Sequence, residues 1–356
     1  MIRPIRAIAH YLPQFHPIPE NNKWWGTGFT EWTNVGKAKP LFRGHYQPRV
    51  PSDLGYYDLR LPEAREAQAD MAREYGIEGF CYWHYWFGNG KQLLEGVFNS
   101  VLKSKKPDFP FCLAWANDSW SGVWHGVQGT LMEQTYPGVQ DYEQHFHTLL
   151  EAFQDPRYIL IDGKPLVFIF QPLAIPDPAM FIDIWQNMAV KNGLKGLHFV
   201  AHSAYPPEIQ DVLNKGYDSV NILRLFALQQ MKRSFLKKLP VKLGLKLKNV
   251  YDYAEAARYF SGEEDRKENV FPSLIPNWDH SPRTGNKRLI LHNSTPELFR
   301  THVRSVFDSV LHKSPGHRIV FIKSWNEWAE GNYIEPDLKY GKQYLEVFKE
   351  ELLRKH

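Results

Sequence analysis

The alternation of apolar and polar positions divides this chain into eight short apolar runs, separated by longer segments that are mostly helical in character. The runs cover residues 5–11, 77–85, 111–116, 166–170, 197–201, 219–222, 273–276 and 318–322. Most are rich in Ile, Val, Phe or Tyr and end at Gly, Pro or polar residues, the pattern of buried strands. Helices are predicted over 62–75, 93–104, 142–153, 178–192, 208–215, 296–312 and 340–353. The first of these is the clearest, with Pro62 at the first helical position, Glu63 and Glu66 in the opening turn and Gly76 as the stop.

Strand–helix alternation repeated about eight times predicts parallel strands joined by crossover helices, and eight units in this length fit an α/β, single-domain (β/α)8 TIM barrel spanning 1–356. A doubly wound sheet is the alternative. It normally carries a Gly-rich phosphate loop after its first strand, and no GxGxxG or Walker A pattern occurs. Long insertions at 13–61 and 224–270 are expected on the C-terminal face, walling a cleft.

Aromatic residues make up 15% of the chain, with 12 Trp and 18 Tyr, and they gather where the apolar runs end. YWHYWF, WANDSWSGVWHG and NKWWGTGFTEW (with Trp25) are the densest stretches. Flat rings with a polar tip suit stacking on sugar rings. Net charge is +4, and its one concentration is Lys232, Arg233, Lys237, Lys238, Lys242, Lys246 and Lys248. That stretch reads as a solvated helical face or a peripheral contact with an anionic membrane surface. Cys81 and Cys112 lie in apolar runs and read as buried thiols in a reducing compartment. No run is long enough to span a bilayer and the N-terminus lacks a signal-peptide pattern, so a cytoplasmic location is expected.

In a barrel the residues at the C-terminal strand ends converge on one site. Here they are His10, Tyr11, Tyr82, His84, Tyr85, Trp115, Asn117, Asp118, Gln171, His202, Asn277, Trp278, Asp279, Trp325, Asn326, Glu327 and Glu330. Phosphate chemistry would call for Arg/Lys clamps, whereas carboxylates among aromatic rings suit glycans. Glycoside cleavage needs one group to protonate the leaving oxygen and a second as base or nucleophile, usually two carboxyls. Glu327 and Glu330, in WNEWAEG, are the candidates, lined by Trp325 and Trp328. On a strand, residues three apart face opposite ways; a helical arc beginning at Glu327 puts both on one face. The plainer reading is an acidic helix start favoured by the dipole.

WNEWAEG followed by YIEPD, with HYLPQFHPIPENNKWWGTGFTEWTNV, FCYWHYWF, WANDSW and IPNWDHSPR, resembles the WbsX family through nearly the whole chain. Its members are labelled O-antigen or capsule glycosyltransferases and are described as similar to glycoside hydrolase family 99. The resemblance implies a retaining, endo-acting α-mannosidase or α-mannanase type of barrel that needs no cofactor. The substrate's own 2-hydroxyl is the nucleophile there, through a 1,2-anhydro sugar. It further implies Glu327 as base and Glu330 as general acid, Tyr11 and the Trp83 region lining the reacting sugar's subsite, and Asp118 contacting that sugar. The chain departs from the family pattern at Asn117–Asp118–Ser119–Trp120 and Gly122–Val123, where a longer acid and arginines are expected.

Three rivals bear on function: a nucleotide-sugar transferase, which usually needs a diphosphate site; a metal-dependent hydrolase built from His10, His16, His84, His202 and Asp279; and a non-catalytic glycan-binding barrel. No HxH or HExxH occurs and no metal is expected. The expected partner is an oligosaccharide or polysaccharide, not nucleic acid. Smaller expectations are an Asp279–Arg283 ion pair in a loop, and Glu31 and Glu335 as supplements to the site or as structural acids.

Overall fold

The computed structural model describes residues 5–122, 129–225, 228, 249–285 and 289–354. Eight parallel strands form the closed barrel: β1 Arg6–Tyr11, β2 Gly79–Trp86, β3 Phe111–Trp115, β4 Lys164–Ile169, β5 His198–Ser203, β6 Ser219–Ile222, β7 Val270–Leu274 and β8 Ile319–Ile322. Each pairs with its sequence neighbour, and β1 pairs with both β2 and β8, which closes the sheet. The helices are α1 Pro62–Glu74, α2 Glu95–Ser104, α3 Val139–Phe153, α4 Pro178–Lys191, α5 Ile209–Leu213, α6 Tyr253–Ala257, α7 Pro296–Val310 and α8 Gln343–Leu353. Caps set some starts: Asp177 accepts the Met180 amide ahead of α4, and Thr295 accepts that of Leu298 ahead of α7.

The fold agrees with the (β/α)8 expectation, and every predicted strand overlaps an observed one. The largest offset is β7, which runs 270–274 where 273–276 was expected. Pro272 is tolerated there as Pro is in few strands, and Asn277 and Trp278 already belong to the following loop.

Side-chain alternation decides what each strand offers the site. In-register pairs such as Ile8↔Phe321, Ser273↔Phe321, Asn221↔His202 and Trp83↔Ala114 put one set of positions inside the barrel. His10 is at its centre, stacked on Trp83 at 4.8 Å and packed against Phe168 and Phe321. The alternate set, Tyr11, Tyr82 and Trp115 among them, points outward into the helix layer.

The insertion between β1 and α1 carries two short helices, Pro19–Trp25 and Glu31–Lys37, the second capped by Thr30. After β6, part of the second insertion joins a separate apolar cluster around Leu225, Tyr253, Phe260 and Trp278. The lysine-rich stretch 232–248 lies outside the described residues. Among the described residues no helix is long and apolar enough to cross a membrane.

Candidate active site

At the C-terminal mouth of the barrel lies a cavity of about 760 Å³. Its floor is made by inward strand-end residues: His10, Trp83, Phe168, His202, Asn221, Ser273 and Lys323. Gln14, Trp25 and Glu31 of the first insertion, Trp278, His280 and Arg283 after β7, and Glu327 and Glu330 after β8 wall one side. Trp120, Phe170, Leu173, Val212 and Leu223 wall the other. A cavity of this size holds more than one sugar ring.

Past β8 the chain makes a single 3₁₀ turn, Trp328–Glu330, with Glu327 just ahead of it. The Glu327 amide donates to Ser324 Oγ (2.9 Å) and the Glu330 amide to the Glu327 carbonyl (3.2 Å). In a 3₁₀ turn residues three apart eclipse, so both carboxylates project to one side. Gly331 ends the turn in the left-handed region (φ 63°), where a Cβ would lie 2.7 Å from Asp279 Cβ. Only glycine combines that backbone with that approach. The next helix, α8, starts at Gln343, so the two glutamates do not cap it.

The pair forms the middle of a chain of charges. Trp83 Nε1 (2.7 Å) and Lys323 Nζ (2.6 Å) both donate to Glu327 Oε1. Asn332 Nδ2 lies 3.4 Å from Glu327 Oε2 and 3.2 Å from Glu330 Oε2, tying the two carboxyls to one amide. Arg283 bonds Glu330 Oε1 and also Glu31 Oε1 (2.8 Å), while His280 Nε2 stands 3.4 Å from Glu330 Oε2. Glu31, Arg283, Glu330, Glu327 and Lys323 thus form a chain of three acids and two bases, with His280 beside Glu330. Burial pushes Glu327 up, and the charge of Glu330 adds to this while Lys323 opposes it. Burial acts on Glu330 too, but His280, Arg283 and Lys323 overcome it and hold the group down to about 2. The surroundings thus favour a charge on Glu330 over one on Glu327.

Of the residues expected at the site, His10, Trp25, Trp83, Tyr85, Asp118, His202, Trp278, Glu327 and Glu330 line the cavity. Gln171 lines it too, and ten others, Asn277 among them, lie outside its lining. Tyr11 points outward and donates to Gln68 on α1 (2.6 Å), and Tyr82 packs between Tyr11 and Phe98. His84 bonds His145 on α3 (2.8 Å), and Trp115 is buried against His145 with its Nε1 on the Trp86 carbonyl. Asn117 ties two loops through both main-chain groups of Gln171. Asn326 does the same with Leu12. Trp325 is buried against Phe80, and Trp328 stacks on Tyr333 and donates to Glu335 Oε2 (2.6 Å). Asp279 is fully buried, accepting from His45 (2.8 Å) and Gln47 (2.7 Å) with Arg49 nearby, and is held down to about 2 chiefly by His45 and Arg49 acting against burial. The expected Asp279–Arg283 pair is corrected, since Arg283 reaches Glu31 and Glu330.

Glu31 lines the cavity, whereas Glu335 lies beneath it, accepting from Tyr57 (2.8 Å), Gln68 (2.7 Å) and Trp328. Lys323, Phe168, Phe170, Asn221, Ser273 and His280 are cavity residues that sequence reasoning missed. Strand alternation counted from His10 or Trp83 would have found the strand-end ones. Among the described residues no group of three or more His, Cys, Asp or Glu is arranged to hold a metal ion.

Residues 7–348 match the family model described as Glycosyltransferase WbsX. Two relatives, each named Uncharacterized protein WxcX and from two strains of Xanthomonas campestris pv. campestris, are 35% identical over 99% of this chain. The chain spans about half (50%) of the length of these curated relatives. Among solved structures, the GH99 endo-alpha-mannosidase from Bacteroides thetaiotaomicron superposes with a TM-score of 0.59 at 15% identity, covering 98% of this chain and 96% of that one. A glycoside hydrolase-like protein gives 0.61 at 18% identity, covering 99% and 94%. At these identities the likeness is one of fold.

Proposed function

This chain belongs to the WbsX glycosyltransferase family, and from that premise we propose that it is a glycan-processing enzyme of the retaining-glycosidase type. Its substrate is an α-linked, mannose-type or related glycan of a surface polysaccharide. The observation that carries the reading is the turn after β8, which presents Glu327 and Glu330 side by side, joined through Asn332, in an aromatic-walled cavity. One proton shared by two carboxyls is the state that acid–base chemistry on a glycosidic bond requires. In the proposed reaction Glu327 takes the proton of the sugar's 2-hydroxyl as that oxygen attacks the anomeric carbon. Glu330 gives a proton to the departing oxygen, and water then opens the 1,2-anhydro ring.

A second reading is supported by the family's description as a glycosyltransferase: a glycan hydroxyl, in place of water, opens the intermediate. One experiment tests both. The protein is incubated with α-linked mannose-type and deoxyhexose oligosaccharides, with and without excess acceptor glycan, and products are read by mass spectrometry. Cleavage or transfer abolished in both Glu327→Gln and Glu330→Gln is the expected result. Full turnover by either variant overturns the assignment of the pair.

A further inference from the structure

The cations at the two ends of the carboxyl pair are not equivalent in what they favour. Arg283 and His280 approach Glu330, and Lys323 alone approaches Glu327 among the described residues. Lys323 follows β8 at an inward position, one residue pair beyond Phe321, and its Nζ lies 4.8 Å from the Trp83 ring centroid and 5.9 Å from that of Trp278. Two rings therefore fix the ammonium while it bonds Glu327 Oε1 at 2.6 Å. That oxygen already accepts Trp83 Nε1, so both of its lone-pair directions are taken, and Oε2, on the side that Asn332 and the Glu330 carboxyl approach, is the atom a substrate hydroxyl can engage.

We propose that Lys323 is a positioning residue. It stabilises the arrangement in which Glu327 is the carboxylate and Glu330 carries the proton, and it aims Glu327 Oε2 at the substrate hydroxyl. Arg283 stabilises the opposite arrangement, in which Glu330 is the carboxylate. Passing one proton from Glu327 to Glu330 changes no total charge, and Lys323 makes the working form accessible against burial. The inference rests on the acid/base reading given above. The other titratable or charged groups facing the pair are Glu31 from the first insertion, Tyr85 on β2, His280 and Arg283 after β7, and, next to Lys323, His10 on β1 and His202 on β5. Burial and the Lys323 charge hold both of these histidines low, so they stay neutral near neutral pH and leave Lys323 as the cation on that side.

The test reads Glu327 directly, without a substrate. Infrared difference spectra of the carboxyl bands are recorded against pH for wild type, Lys323→Met, Lys323→Arg and Arg283→Met, each with the matching Glu327→Gln background subtracted. Circular dichroism and melting confirm that each variant is folded. The Glu327 midpoint is expected to rise by at least one pH unit in Lys323→Met and to stay near wild type in Lys323→Arg. In Arg283→Met the larger gain in proton affinity is expected at Glu330, which Arg283 touches, with only a smaller rise at Glu327. A Glu327 midpoint unchanged in Lys323→Met, or rising more in Arg283→Met than in Lys323→Met, overturns the proposal. If a cleaved glycan is found, Lys323→Met should lose turnover at least tenfold near pH 6 with KM changed less than threefold, partly regained at higher pH. Loss through KM alone overturns it as well. Turnover that survives Glu327→Gln would instead sink the acid/base reading, so the two failures are distinguishable.

Discussion

Two lysines bracket β8, Lys313 at the bottom of the barrel and Lys323 at the top, and they make opposite use of the same residue type. Both are largely buried, and both set an ammonium near an aromatic ring, Phe271 for Lys313 (5.9 Å) and Trp83 for Lys323 (4.8 Å). Lys313 gives its hydrogen bond to a neutral oxygen, the Val270 carbonyl, and burial pushes its amine down to about 8 despite Asp265 and Glu268. Lys323 gives its own to the carboxylate of Glu327. A carbonyl dipole repays little of the desolvation of a cation, whereas an ionised partner repays much more. The bottom lysine is therefore a local cost that the packing tolerates, while the top one is a counter-ion in a charge network facing a cavity. This is the usual division of a barrel, with stability at the strand N-termini and chemistry at the C-termini.

The contrast breaks first, and most visibly, at the carboxyl pair. Glu327→Gln and Glu330→Gln should each lower turnover by about three orders of magnitude, roughly 4 kcal/mol of barrier, with the melting temperature nearly unchanged. Kinetics and melting run side by side check it; a Lys313 variant that loses as much turnover would dissolve the division between the two ends. Next in size is Asp279→Ala, which leaves His45, Gln47 and Arg49 without their shared acceptor beneath Gly331. Removing one partner from such a buried charged cluster costs about 3 kcal/mol, and urea unfolding should show it. A loss below about 1 kcal/mol would mean that the loop at 45–49 does not depend on Asp279.

Lys313→Met sharpens the comparison from the other end. Its folded pKa, about 8, lies below the ordinary 10.5, so between those values the unfolded chain binds more protons. Stability from this group is then lowest below pH 8 and rises as pH climbs to 10.5, by about 3 kcal/mol in full. The methionine variant should lack that rise. Near pH 7 it should gain only about 1 kcal/mol, because the Val270 carbonyl loses its donor. Unfolding free energies of wild type and variant at pH 7 and pH 10 give the difference directly, and equal slopes would show that Lys313 is already charged and satisfied in the fold.

The barrel was legible in the sequence because eight buried strands and their helices each carry a local signal, in apolar runs, proline starts and glycine stops. The site was legible only in part, because a strand end does not announce which of two adjacent residues faces inward. Reading the strand ends as one basin joined His10 with Tyr11 and Trp83 with Tyr82 and His84, although the pleat sends these to opposite sides. Counting in twos would have retained His10, Trp83, Tyr85 and His202 and added Phe168, Asn221, Ser273 and Lys323. Arg283 is a different kind of miss. Its partners, Glu31 and Glu330, are 252 and 47 residues away, and only the closed barrel brings them together. Local spacing suggested Asp279 instead, four residues away, but that carboxylate is consumed by the loop at 45–49.

The smallest expected effect concerns Glu335, which lies under the Trp328–Glu330 turn and tests how far the charged end extends. Burial raises its pKa to about 7, and the neutral donors Trp328, Gln68 and Tyr57 offset only part of that rise. Since the folded value exceeds the ordinary 4.5, the folded state binds more protons between the two. The contribution of Glu335 to stability is therefore best below pH 4.5, declines as pH rises to 7 and stays low above that. Glu335→Gln should remove this decline while changing stability at pH 7 by no more than about 1 kcal/mol, because the amide keeps one acceptor but sets an N–H against donors. Turnover should respond mildly, through the orientation of Trp328, whose Nε1 bonds Glu335 directly. A loss as large as that of Glu327→Gln would place Glu335 inside the proton network, whereas an unchanged pH dependence of unfolding would show that it stays ionised among its three donors.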